Sequence, residues 1–126
     1  KKKLWLEIFN NATILIRRSM MKFINYNIIK ANPKPFCGFS DITALSLMFY
    51  KKCGLITYHG PMACSDFGTG VNISTKESFF KAINNEPLEF TGTKIYKSGS
   101  AEGILWGGNL STVVSLCGQD FTIIGF

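Results

Sequence analysis

The sequence predicts an α/β fold built on a parallel sheet. Residues 35–58 read as strand, helix, strand within about 30 residues, the size of a βαβ unit. Both strands are continuously apolar, as strands are in a sheet covered on each face. Further helical patterns follow the unit, which is the alternation expected of the α/β class.

The elements follow in chain order. Residues 4–16 are apolar with a break at "FNNAT". Residues 19–31, "SMMKFINYNIIKA", predict one short helix with Met20, Phe23, Ile24 and Ile28 along one side. "NPKP" is a turn, because each proline biases its predecessor away from the helical region. "KPFCGF", residues 34–39, holds the first strand of the unit. Ile42, Leu45, Met48 and Phe49 then recur at helical spacing, Lys51 and Lys52 fall in the last turn, and Gly54 follows as the C′ residue. "GLITYHGPM" is the second strand, with residues 55–58 β-rich and Gly60-Pro61 closing it. "SDFGTGVN" is a loop. "STKESFFKAINN" reads as a helix opened by a capping box, Ser74 as N-cap and Glu77 three residues on. Residues 88–97 alternate like an exposed strand, and "SGSAEG" is a hinge rich in turn residues. In "ILWGGNLSTVVSLCG", Gly107-Gly108 end a strand, and Asn109 or Ser111 caps a helix that runs through Leu116 to Gly118. "TIIGF" is a candidate strand at the C-terminal end.

Composition narrows the function classes. The 126 residues are 46% hydrophobic and 17% charged with eleven Phe, which is globular rather than disordered. No apolar run approaches the ~20 residues that span a bilayer. "KKKLWLEIF" begins like a signal peptide, but Glu7 and Asn10 interrupt its apolar part, so a cytoplasmic location is expected. Cys37, Cys53, Cys64 and Cys117 have no C-x-x-C spacing and read as free thiols of a reducing compartment. His59 is the single histidine, which argues against a zinc site. Eight of the 14 Lys and Arg lie in residues 1–36 with Glu7 as the one acid there. They form no helical stripe and no aromatic-basic pattern, so nucleic acid is not the expected partner.

The chemistry-bearing stretch is "CGFSDITAL". Ser40 stands where a strand turns into a helix, and backbone N–H groups at a helix start point outward at whatever lies above them. A serine there presents its hydroxyl as a nucleophile while the next amide steadies an oxyanion. Ser40 or Asp41 acting as an N-cap is the structural alternative. The G-x-S-x-G pattern of α/β-hydrolases is not met, because Ile42 replaces its second glycine.

Three ordered stretches, "NPKPFCGFSDITAL", "GLITYHGPM" and "AEGILWGGNLSTVVSLCG", together resemble the LD-carboxypeptidases, the serine peptidases that include murein tetrapeptide carboxypeptidases and microcin C7 immunity proteins. The resemblance runs from about Asn32 to Asp120. It implies a flavodoxin-like N-terminal domain, residues 1–90, and in residues 91–126 a hinge and the beginning of a truncated C-terminal domain. It makes Ser40 of the G-[YF]-S-D motif the nucleophile and gives the Asp41 backbone N–H to the oxyanion. The implied substrate is a peptide, either a murein tetrapeptide cleaved before its C-terminal D-alanine or a peptidyl-nucleotide antibiotic. No cofactor, metal or membrane is implied, and a homodimer is open for full-length members. "WGGNLS", Trp106–Ser111, reads as a packing and hinge element. Two departures stand out. The family's catalytic Glu and His belong to the C-terminal domain, so this chain alone is expected to be inactive, as a remnant or binding module would be. Leu15 and Ile16 stand where an upstream Gly-Gly of the oxyanion hole belongs, and residues 1–18 look unlike the family. His59 does not match the catalytic histidine and reads as a partly buried strand-end residue.

Overall fold

A computed structural model of the chain describes residues 5–6, 20–62, 66–68, 70–89 and 94–118. Three short strands, β1 (Trp5–Leu6), β2 (Phe36–Gly38) and β3 (Thr57–His59), form one parallel sheet in the order β1-β2-β3. In register, Trp5 lies opposite Phe36 on one side of β2, while Phe36, Cys37 and Gly38 lie opposite Thr57, Tyr58 and His59 on the other. The expected parallel pairing of the two strands flanking Ser40 is therefore present.

Among the described residues, four α-helices accompany the sheet: α1 (Tyr26–Ala31), α2 (Thr43–Cys53), α3 (Ile73–Ile83) and α4 (Leu110–Leu116). α2 is the centre of the core. Thr43, Ala44, Leu45, Leu47, Met48 and Phe49 are all buried, so the apolar surface goes around the helix rather than along one stripe. Met21, Ile42 and Leu116 complete the buried cluster, and Ile24, Tyr26, Ile29, Phe36, Leu55, Trp106 and Val113 pack against it. Phe36 and Tyr26 both meet the Phe49 ring edge-on, with centroids 4.9 and 6.4 Å away. The helix ends as expected at Gly54, whose φ of 67° is the left-handed value that favours glycine, and whose N–H donates to the Tyr50 carbonyl at 2.8 Å.

Several local expectations are corrected. The single helix over residues 19–31 is broken into a 3₁₀ turn, Met21–Phe23, and α1. Asn25 makes the break: its side chain accepts the N–H groups of Asn27 and Ile28, so a new helix starts behind it. The N-cap of α3 is Asn72, not Ser74. Asn72 Oδ1 accepts from Ser74 N at 2.9 Å and from Ser74 Oγ at 2.7 Å, which draws Ser74 into the first turn. No strand precedes Gly107-Gly108, because Ile104 and Leu105 are 73% and 101% exposed and no neighbouring strand pairs with them. Residues 88–89 and 94–97 of the expected exposed strand are likewise not in a sheet. Leu15, Ile16, Cys64, residues 90–93 of that strand and the "TIIGF" tail lie outside the described residues.

Two predictions follow from this packing. A side chain at Gly38 would sit inside van der Waals contact with Ile42 Cγ2 and 2.7 Å from Ile42 Cβ. Gly38→Ala is therefore expected to lower stability by about 1–3 kcal/mol, the cost of overpacking a filled site, read as a shift of the urea midpoint. The second concerns alkaline pH. The Tyr26 hydroxyl donates to the Met21 carbonyl at 3.0 Å, and the Cys53 thiol donates to the Tyr26 carbonyl at 3.4 Å. Burial raises both above their ordinary values of 10.0 and 9.0; the nearby Cys53 charge adds to the rise at Tyr26, and Lys30 opposes the rise at Cys53. The unfolded chain then loses these protons first, so stability is full below the ordinary thiol range and falls as pH rises through it. Urea midpoints should drop as pH rises past the ordinary thiol value of 9.0 and then the ordinary tyrosine value of 10.0, and a Tyr26→Phe, Cys53→Ser double variant should flatten that drop.

Candidate active site

β2 ends at Gly38, and the chain turns into α2 through Phe39 and a 3₁₀ turn, Ser40–Ile42. The turn is tight: Ile42 N donates to the Phe39 carbonyl at 3.1 Å. Ile42 then folds back onto Gly38, which is why Gly38 has no room for a side chain. Ser40 carries the strain of this path. Its φ is +53°, one of two positive-φ residues other than glycine among the described residues. Ser40 thus lies at a strand-to-helix turn, half-buried, with Asp41 half-buried beside it. The cap position of the turn belongs to Phe39, in extended conformation, which gives no side-chain cap; Ser40 is the first residue of the turn rather than its cap.

The neighbouring strand ends at the same level. Gly60 N donates to the Gly38 carbonyl at 3.0 Å, extending the ladder one step past His59. A side chain at Gly60 would approach Cys37 Sγ to 2.9 Å, so the "HGP" glycine also keeps β2 and β3 close. His59 is exposed rather than partly buried, because it is the last residue of β3 and points out beyond the sheet. Its ring packs on Phe39, 47% exposed, at 5.1 Å between centroids. The C-terminal edge of β2 and β3 therefore gathers Phe39, Ser40, Asp41 and His59. Ligands of open parallel sheets bind at this edge.

The "WGGNLS" segment reaches the same turn. Thr43, 1% exposed, donates its hydroxyl to the Ser40 carbonyl at 2.6 Å and accepts the Asn109 N–H at 2.9 Å. Asn109 in turn caps α4, its Oδ1 accepting from Thr112 N at 3.1 Å. Gly108 makes the approach possible. Its φ is +143°, and a side chain there would lie 2.5 Å from Thr43 Cγ2 and 2.6 Å from Thr43 Oγ1. Gly38, Thr43 and Gly108 were not singled out from the sequence as shapers of the site. The glycines stood in the quoted motifs, but only the tertiary approach shows what each avoids.

A cleft of about 630 Å³ opens beside this junction, lined by Thr43, Ser46, Tyr50, Thr57, His59 and Trp106 among others. Ser40 does not line it, so the cleft adjoins the turn without containing the serine. Among the described residues no group of three or more His, Cys, Asp or Glu is placed to hold a metal. Cys37 is buried, Cys53 half-buried and Cys117 exposed, all as free thiols. No helix among the described residues is long and apolar enough to cross a membrane.

Gly108→Ala is the sharpest probe of the junction. It forces a side chain against buried Thr43 at a backbone conformation that favours glycine. The expected outcome is a loss of about 1–3 kcal/mol in chemical unfolding. The Asn109 amide should also exchange faster with solvent deuterium.

Comparison with known proteins places this geometry. Residues 17–60 match the LD-carboxypeptidase N-terminal domain. A probable murein peptide carboxypeptidase of Bacillus subtilis is 39% identical over 107 residues, covering 79% of this chain and 33% of the relative. The microcin C7 self-immunity protein MccF of Escherichia coli is 33% identical over 135 residues, covering 82% of this chain and 39% of the relative. The structure of microcin C7 self-immunity protein in its wild-type apo state superposes with a TM-score of 0.65 at 32% identity, over 82% of this chain and 40% of that one. The chain thus spans between a third and two fifths of the length of these relatives. The GFSD turn at the edge of a parallel sheet, the matched domain and the ordered relatives agree: this chain belongs to the LD-carboxypeptidase family.

Proposed function

We propose that the chain supplies the nucleophile-bearing part of a serine LD-carboxypeptidase, with Ser40 as nucleophile and the Asp41 backbone N–H as an oxyanion donor. The observation that carries this reading is the strained φ of +53° at Ser40, at the exit of a parallel strand and the entry of a buried helix. Such strain clusters at functional sites, where surrounding packing holds it in place. In this reading residues 1–90 form the nucleophile domain and residues 91–126 lead into a second domain that carries the Glu and His.

The reaction follows from those parts. Ser40 Oγ attacks the carbonyl carbon of the amide before a C-terminal D-alanine as its proton passes to the histidine. The tetrahedral oxyanion leans on the Asp41 N–H. The C–N bond breaks, the amine takes the proton and D-alanine leaves. Water, deprotonated by the same base, then cleaves the ester on Ser40. A cytoplasmic role in turning over muropeptides belongs to the same reading. A peptidyl-nucleotide substrate is the second reading. It is favoured by the likeness to the microcin C7 self-immunity protein, which has been solved in complex with aspartyl sulfamoyl adenosine.

The test grafts this chain onto the part of the Bacillus subtilis relative that it does not match. The chimera should release D-alanine from a murein tetrapeptide. Ser40→Ala should reduce turnover by about 10⁶-fold, the loss seen when a serine peptidase is stripped of its nucleophile, while stability shifts by no more than about 0.5–2 kcal/mol, the value of a cap. Unchanged turnover in the variant, or a folded chimera without activity on either the tetrapeptide or an aspartyl-adenylate analogue, overturns the reading.

A further inference from the structure

We infer that Thr43 is the positioning residue of the Ser40 turn, and that its hydroxyl couples the turn to the "WGGN" segment. The inference builds on the reading of Ser40 as nucleophile. Thr43 stands three residues after Ser40 and is 1% exposed, yet its hydroxyl both donates and accepts. It donates to the Ser40 carbonyl at 2.6 Å and accepts from the Asn109 amide at 2.9 Å. The Thr43 backbone N–H also turns back to the carbonyls of Ser40 and Asp41. The Ser40 carbonyl is therefore gripped by both the side chain and the main chain of one residue.

This grip acts where the backbone is least willing. At φ +53° Ser40 occupies a region that a residue with a Cβ leaves when it can. One buried hydrogen bond is comparable in size to that preference. The second half of the bridge ties the turn to the "WGGN" segment. The hydroxyl has one proton, and with the Asn109 N–H aimed at the oxygen that proton is directed to the Ser40 carbonyl. Gly108 without a side chain, and the Asn109 cap of α4, hold that donor in position. A merely structural threonine would fill the same space with valine. A positioning threonine needs the oxygen.

The experiment compares Thr43→Val, which keeps the shape and removes the hydroxyl, with Thr43→Ser, which keeps the hydroxyl. Thr43→Ala serves as a second hydroxyl-free variant should valine fail to fold. In the 126-residue chain, NMR would follow the Asn109 amide exchange and the Ser40 scalar coupling that reports φ. The expected result is Asn109 exchange about tenfold faster in the hydroxyl-free variants, the scale of one lost hydrogen bond, with Ser40 shifting toward negative φ. Exchange in the middle of α2, at Met48, should stay as it was, and Thr43→Ser should restore both signals. In the active chimera, kcat should fall about tenfold or more with KM little changed, and serine should rescue it. A valine variant with native Asn109 exchange and native Ser40 coupling overturns the positioning role. Should the chimera show no activity with any residue at position 43, the reading of Ser40 fails, while the NMR signals still decide whether Thr43 holds the turn.

Discussion

The distance between the end of β2 and the start of α2 controls everything around Ser40. Three residues separate Gly38 from Ile42, and in that span the chain must reverse from strand to helix. The close approach leaves no volume at Gly38, drives Ser40 to a φ of +53°, and brings the Thr43 hydroxyl under the Ser40 carbonyl. A looser turn would relax all three at once. It would also lower the serine away from the sheet edge, where parallel sheets receive their ligands.

The price in strain is modest beside the packing that imposes it. A positive φ at a residue with a Cβ costs roughly 1–2 kcal/mol. Burying one large aliphatic side chain contributes about 1.5–3 kcal/mol, and Ile42, 1% exposed, is the residue that folds back against Gly38. Met48 and Leu116, also almost fully buried, hold the same helix from other sides. The helix behind Ser40 is apolar nearly all round, so it has no face on which to rotate or slide. Its one buried polar side chain, Thr43, stands at its N-terminal end, where it meets Asn109.

What was legible in the sequence was local and periodic. The strand of residues 35–39, the helical spacing from Ile42 to Phe49, Gly54 as a left-handed stop and a cap at Asn109 or Ser111, which the fold gives to Asn109, all depend on neighbours within a few positions. The parallel pairing was legible because the whole βαβ unit is short. What was not legible falls into two kinds. Where two cap residues stand close together, as Asn72 and Ser74 do, their side chains compete, and Asn72 holds both Ser74 donors. Asn25 likewise breaks a helix without disturbing the apolar spacing around it. The second kind is tertiary. Thr43 and Asn109 are 66 residues apart, and nothing local marks that they meet. Ile104 and Leu105 are apolar enough to suggest a strand, yet a strand needs a paired edge, and they are exposed instead.

The tertiary bridge changes the meaning of "WGGNLS". As a string it is a turn followed by a cap, and it reads as a hinge. In the fold, Gly108 lies against Thr43 at the start of α2, and Asn109 gives its backbone N–H to Thr43 while its side chain accepts from Thr112. A hinge at this place cannot move freely, because swinging α4 away would leave the buried Thr43 oxygen without its donor. An unsatisfied buried oxygen costs about 1–3 kcal/mol, enough to bind the segment to the serine turn. The stretch from Gly99 to Leu105, by contrast, is exposed along its length. The Ser40 turn and the segment that opens α4 are in this way one unit, joined through a single hydroxyl.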